Sequence, residues 1–240
     1  MRTLVIGDIH GAIKALTQVL ERADIQPTDH LIFLGDYADG WSQTPEVLDF
    51  LISYQHQQRC LFLRGNHDAL CYDFLQGKNM DTLWRLHGGK ATEKAYQNVT
   101  ETRRQAHLDF LASLQNYYLD AQNRLFLHAG FTNLRGIAYE HFPEMYYWDR
   151  TLWELAQSST LPPTDPHYPN RLKLYTHIYI GHTPTTRLGT DKPLSFNGVT
   201  NVDTGAAFKG RITIMDIDTL QYWQSDSVYT LYPDEAGRNQ

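Results

Sequence analysis

Six short apolar runs, each broken off by glycine and polar residues, constrain this 240-residue chain more than any other feature. They are TLVI before GDIHG, HLIFL before GDYADG, CLFL before RGNHD, RLFL before HAG, IYI before GHTP, and VTNV before DTG. Each is strand-length and built on Leu, Ile, Val or Phe, as in strands covered on both faces. Helical spacing appears between them. In GAIKALTQVLERA, Ile13, Leu16, Val19 and Leu20 share one face. In TPEVLDFLISYQ, Thr44 is a candidate N-cap, Pro45 sits in the first turn, and Val47, Leu48, Leu51 and Ile52 form one stripe. Strand alternating with helix predicts an α/β fold with a largely parallel sheet flanked by helices.

The remaining segments fit around that frame. Residues 70–115 read as mostly helical and are expected to form a cap beside the sheet, whereas SSTLPPTDPHYPN (158–170), with four prolines, reads as a surface loop. RITIMDIDTLQYWQ looks like two strands joined at Asp218-Thr219, and PDEAGRNQ is expected to fray. The length suits a single domain over 1–240. No run approaches the ~20 apolar residues of a membrane helix, and MRTLVIGDIHG breaks into Gly-Asp before a leader-like segment forms. A net charge of −6 without a long basic run argues against a nucleic-acid polymer as partner. Cys60 and Cys71 make neither a CxxC pair nor a disulfide framework. A buried reduced thiol is expected for Cys60, and a cytoplasmic setting suits both.

In open α/β sheets ligands bind beyond the carboxyl ends of the strands. There this chain carries Asp8 and His10, Asp36, Asn66 and His67, His128, and His182. Alone, either aspartate reads equally well as a turn residue or helix cap, and either later histidine as a core residue. A metal-competent residue after five of six strands is poorly explained by chance. The set assembles two divalent ions: Asp8 and His10 hold one, Asn66, His128 and His182 the other, and Asp36 bridges. Mixed oxygen and imidazole donors suit Mn²⁺, Fe²⁺ or Zn²⁺ rather than calcium, with manganese preferred here. Two such ions ~3.5–4 Å apart clamp a phosphoryl oxygen and acidify a bridging water to hydroxide, the chemistry of phosphate ester hydrolysis. Arginine, whose planar fork matches phosphate oxygens, is the expected positioning residue, and Arg64 before Gly65-Asn66-His67 is the first candidate.

The series GD-x-H-G, GD-x-x-D, GNH-D, H-A-G and GH-T resembles the calcineurin-like metallophosphoesterase superfamily, from residue 7 to 183, with NVDTG extending the likeness to 205. The resemblance implies a four-layer fold, two sheets packed between helices. It makes Asp8, His10, Asp36, Asn66, His128 and His182 the metal ligands, and His67 the acid that protonates the leaving-group oxygen, oriented by Asp39. A carboxylate beside a histidine favours the protonated imidazole, which suits that role. Arg150, in YYWDR, is a second phosphate candidate by likeness to an aromatic-x-Arg segment; it also reads as a helix cap or a partner of Asp149. The YYW cluster itself reads as core or as a surface for an aryl group or base.

GHTP lacks the second histidine of nuclease-like branches, since Pro184 cannot ligate a metal. This favours the branch of serine/threonine protein phosphatases and dinucleoside polyphosphate hydrolases, and GGKATEKAY (88–96) resembles a segment found in bacterial members of both. Two departures bear on substrate: Gly40 stands where GDYVDRG has arginine, and Asp68 where phosphoprotein phosphatases usually carry Glu. The expected protein is a metal-dependent phosphatase acting on phosphoproteins or small phosphate monoesters. A diadenosine tetraphosphate or other nucleotide hydrolase is the alternative, and a catalytically silent binding module a further one. Asp203 and Gly205 are expected to shape a turn near the site.

Overall fold

The six apolar runs all become strands, divided three and three between two sheets, in the computed structural model, which describes residues 1–239. In the first sheet β1 (Thr3–Ile6), β2 (His30–Phe33) and β3 (Arg59–Phe62) are parallel. In the second, β5 (Arg124–Leu127), β6 (His177–Ile180) and β8 (Val199–Asn201) are parallel. Antiparallel strands complete each. β4 (Tyr117–Leu119) pairs with β5 and β7 (Leu194–Phe196) with β8; β9 (Thr213–Asp216) pairs with β1, and β10 (Tyr222–Gln224) with β9. The β9–β10 hairpin is the one expected around Asp218-Thr219. The orders are β10-β9-β1-β2-β3 and β4-β5-β6-β8-β7.

Strand alternation then sets the layers, because successive side chains point to opposite faces. Val5, Ile32, Phe126, Tyr179 and Met215 meet between the sheets, with Phe126 and Tyr179 stacked at 5.2 Å. The residues between them face outward. Leu4, Ile6, Leu31 and Phe33 pack against α1 (Ile13–Arg22), α2 (Thr44–Tyr54) and α3 (Asn66–Leu75). Leu125, Leu127, Ile178 and Ile180 pack against Leu152, Trp153 and Ala156. This is the four-layer arrangement, helices–sheet–sheet–helices.

Four sequence expectations shift. Thr44 lies inside α2 rather than capping it; Gln43 takes the cap, and the Thr44 hydroxyl is drawn to Asp39 N (3.2 Å) and Thr92 Oγ1 (3.2 Å). The 70–115 stretch contributes α4 (Thr82–Trp84), α5 (Lys90–Ala95) and α6 (Glu101–Ser113). Phe110, Leu111 and Leu114 join the outer core of the first sheet, so much of the expected cap belongs to its helical layer. PDEAGRNQ does not fray as far as it is described: Glu235 accepts from Ser42 N and Oγ (2.9 and 2.6 Å), and Arg238 N donates to Ala207 O (2.9 Å). Its Gln240 lies outside the described residues. Most of 158–169 is exposed loop, with Tyr168 buried in the second sheet's outer core. Cys60 is partly rather than fully buried; both thiols are free, and burial pushes that of Cys60 up to about 12.

Candidate metal centre

Both sheets end at the same place. Asp8, Asp36 and Asn66 follow β1, β2 and β3; His128 and His182 follow β5 and β6; all five are buried, as are His10 and His67. The backbone there is unusual, with His10, Asp36, Asp39 and His182 at φ between 53° and 69°. Non-glycine residues rarely adopt that region, and such strain concentrates at functional sites. Two of the flanking glycines have a steric cause: a Cβ at Gly65 would collide with Asp36 Oδ1, and one at Gly181 with Asp8 Oδ1.

Asp36 stands between two groups of donors. Its Oδ2 lies 3.5 Å from His10 Nε2, itself 3.7 Å from Asp8 Oδ2. Its Oδ1 lies 3.4 Å from His128 Nε2, and Asn66 Oδ1 is 3.2 Å from that nitrogen and 2.9 Å from His182 Nδ1. Asp36, His128 and His182 present ligand atoms within 4.8 Å of one another, as do His10, Asp36 and His67. In the second trio His67 is already committed through Nδ1 to Asp39 Oδ2 at 2.8 Å, which leaves Asp8 as the better partner of His10. His128 Nδ1 faces Leu34 O at 2.9 Å and so donates there, which fixes the tautomer and frees Nε2.

Electrostatics agree with a cation-binding role. Burial works against ionisation of Asp36, but the His128 and His67 charges hold it well below the usual carboxylate range. Burial pushes Asp8 up to about 7 against the His128 charge, with Asp36 adding to the rise. Burial and the Asp8 charge lift Asp203 to about 8. His128 would be lowered by burial alone; facing Asp36, it rises to about 10. His182 is pushed well down by burial, then by the His128 and Arg150 charges. Carboxylates crowded against carboxylates, and imidazoles against imidazoles, are the environment a divalent ion relieves.

Asp39 is held from three sides: Thr92 Oγ1 donates to Oδ1 (2.6 Å), and Trp84 Nε1 (2.7 Å) and His67 Nδ1 meet Oδ2. No motif in the sequence marks Trp84, and Thr92 belongs to GGKATEKAY, to which the resemblance assigns no role. Asp68, the departure in GNHD, does not line the cavity. Its carboxylate accepts from the backbone of Asp36, Tyr37 and Gly65 at 2.7–2.8 Å and from Ala38 at 3.3 Å, stapling the Asp36 loop. Burial, then Asp36, raise it to about 7. Asp203 accepts from Gly205 N (2.9 Å), as a turn-shaping residue does.

Asp36, Asn66, His67 and His182 open into a cavity of about 370 Å³. Arg150 lines it, half-buried and donating to Thr183 Oγ1 at 2.8 Å. Arg64 does not. Its guanidinium donates to Leu111 O (3.2 Å) at the end of α6. Trp148 splits from its cluster: it lines the cavity edge-on to His182 (6.3 Å), while Tyr146 joins the core. Arg187 and Arg238 also line the cavity, and neither was singled out in the sequence. At Gly40, where a side chain was noted as missing, the Cγ of Arg238 lies 3.7 Å from the position a Cβ would take.

The profile of the calcineurin-like phosphoesterase family matches residues 1–207. The chain belongs to that family. Its members are metal-dependent phosphoester hydrolases, and Asp36 stands in both groups of side chains that could hold a metal ion. Among curated relatives, the bis(5'-nucleosyl)-tetraphosphatase PrpE of Anoxybacillus flavithermus is 28% identical over 88% of each chain. Serine/threonine-protein phosphatase 1 of Salmonella typhimurium is 27% identical over 89% of this chain and 90% of its own. The solved structure of a metallophosphoesterase from Sphaerobacter thermophilus shares the fold, with TM-score 0.59 at 16% identity over 98% and 94% of the two chains.

Proposed function

We propose that this calcineurin-like phosphoesterase is a two-metal phosphatase that hydrolyses phosphate monoesters, of the serine/threonine protein phosphatase kind. The observation that carries this reading is Asp36, whose two oxygens face separate imidazoles, 3.5 Å from His10 and 3.4 Å from His128. Asp8 and His10 would hold one ion, Asn66, His128 and His182 the other, with Asp36 shared. The donor chemistry favours manganese, with iron or zinc as substitutes. Two ions held there would supply Lewis-acid charge for phosphoryl oxygens and acidify water at neutral pH. His67, fixed by Asp39, gives a proton to the departing oxygen. Asp39 does not touch substrate; with Thr92 and Trp84 it holds the imidazole in register. Arg150 binds the phosphoryl oxygens beside His182. Both sheets contribute to this site, which supports treating the chain as one catalytic unit. Two free thiols suit a cytoplasmic setting, and no helix of the described residues is long and apolar enough to cross a membrane.

A second reading, hydrolysis of a dinucleoside polyphosphate, draws on the rim. Trp148 and Leu83 are 43% and 58% exposed at the cavity, a surface on which a base stacks, and three arginines suit a substrate with several phosphates. The relative named as a tetraphosphatase adds to it. The deciding experiment compares manganese-loaded protein on a phosphothreonine peptide and on diadenosine tetraphosphate, with His67→Asn as control. Preference for the peptide, reduced ~10²–10⁴-fold in the variant, is expected. Preference for the dinucleotide transfers the assignment to the second reading, and no turnover of either rejects both.

A further inference from the structure

Arg238 belongs to a segment far outside every strand-end block, yet its side chain lines the same cavity as Asp36, His67 and His182. The path it takes is prepared by two glycines. Gly40 and Gly88 meet through Gly40 N–H donating to Gly88 O (3.2 Å), both at positive φ (103° and 109°). Arg238 Cγ lies 3.7 Å and 3.2 Å from the points where Cβ atoms on these glycines would be. A larger side chain at Gly40 or Gly88 would crowd the stem.

The carrier segment is fastened at several points. Arg238 N donates to Ala207 O (2.9 Å), Glu235 takes both Ser42 donors, and Gly237 packs so closely on Trp41 that a Cβ would strike the indole. The guanidinium carbon sits 5.3 Å from the Phe208 ring centre, a cation–π distance that orients the fork without neutralising it. No carboxylate of the described residues lies within 4 Å of Arg238, Arg150 or Arg187. Three cations thus share one cavity in a protein of net charge −6. They act on one another: burial, then the Arg187 and Arg238 charges, depress Arg150 below its ordinary value. Such an accumulation is relieved by an anion carrying more than one negative charge.

We infer that Arg238 is a substrate-binding residue, delivered over the Gly40–Gly88 floor to grip, with Arg150, the oxygens of the phosphoryl group presented to Asp36 and His67. This deepens the two-metal reading and rests on it. Planar bidentate contact is arginine chemistry that lysine reproduces only in part.

The test measures inorganic phosphate binding by titration calorimetry on manganese-loaded wild type, Arg238→Ala and Arg238→Lys, with metal content and p-nitrophenyl phosphate kinetics alongside. Arg238→Ala is expected to keep its metal content, to bind phosphate about tenfold or more weakly, and to raise KM in parallel. Arg238→Lys falls between, and Glu235→Ala, which only loosens the segment, gives a smaller loss of the same kind. Wild-type phosphate affinity and KM in Arg238→Ala, within twofold, overturn the assignment while leaving the metal reading standing. A wild type that takes up no divalent ion and no phosphate overturns both.

Discussion

Beneath the cavity a floor of Asp8, Asp36, Asn66, His128 and His182 comes from the ends of five parallel strands, with Asp36, Asn66 and His182 reaching the opening, whereas the rim takes Trp84, Trp148, Arg187 and Arg238 from four separate connections. Floor residues are buried, and several of them carry backbone strain that the surrounding sheets maintain. Rim residues rest on short helices, turns and a docked segment, where chain geometry is less constrained. The difference separates two properties of the enzyme. Reaction type is set where strands converge, and substrate choice where loops meet.

The largest effect that would break this division is at Asp36. Asp36→Asn removes the charge shared by both donor groups and is expected to lower turnover by on the order of 10³-fold or more, with loss of bound metal measured by elemental analysis. A variant that keeps both its metal and its rate would show that the floor does not depend on the shared carboxylate. Thr92→Val tests whether a rim-side residue reaches the floor. Losing the 2.6 Å bond to Asp39 is expected to cost about tenfold in turnover, in line with outer partners of site residues, with metal content unchanged. Equal rates would place Asp39 under the control of Trp84 and His67 alone.

The smallest effect is on stability in chelator. Asp8 and Asp203 titrate at about 7 and 8 in the folded chain against 3.8 for an ordinary aspartate. Between those values the unfolded chain binds fewer protons than the folded one, so stability falls as pH rises through that window. His128, lifted to about 10 from 6.5, works in the same direction: its contribution is present below 6.5 and lost as pH climbs toward 10. Below about pH 6.5 His10 and His182, held down by burial, work the other way. The chelated protein is therefore expected to melt at progressively lower temperature from about pH 7 to pH 9, and added divalent ion to flatten or reverse the slope. A chelated Tm that is level or rising over that range would contradict the crowding of carboxylates on the floor.

Most of the floor was legible in the sequence because each of its residues sits within three positions of the end of an apolar run. Strand period and the rule for where sheets bind ligands were enough to gather Asp8, Asp36, His128 and His182. The rim was not legible because its members are close only after folding. Nothing in GRNQ links Arg238 to Gly40, nearly two hundred positions earlier, and Trp84 looks like any core tryptophan until its indole N–H is found on Asp39. The direction of Arg64 was not legible for a related reason. Its neighbours in GNH are site residues, but adjacency in a loop does not fix direction, and its guanidinium turns to the end of α6. The number of layers also lay beyond periodicity, since runs buried on both faces do not say whether helices or a second sheet cover them.

The His128 imidazole, which comes from the second sheet, is held by Leu34 O at the end of a strand in the first. Across the same seam the His182 backbone N–H approaches Asp8. Ions shared by ligands from both sides would add to the apolar contacts and the few polar links, such as Tyr179 OH to Ile217 O and Arg124 to Asp218, that already join the two sheets. Amide hydrogen exchange should then distinguish two regimes. With chelator, the sheets can open separately, each at its own free energy; with metal, both should exchange as one cooperative unit, so that occupancy of the site governs the protein's lifetime against proteolysis as well as its rate.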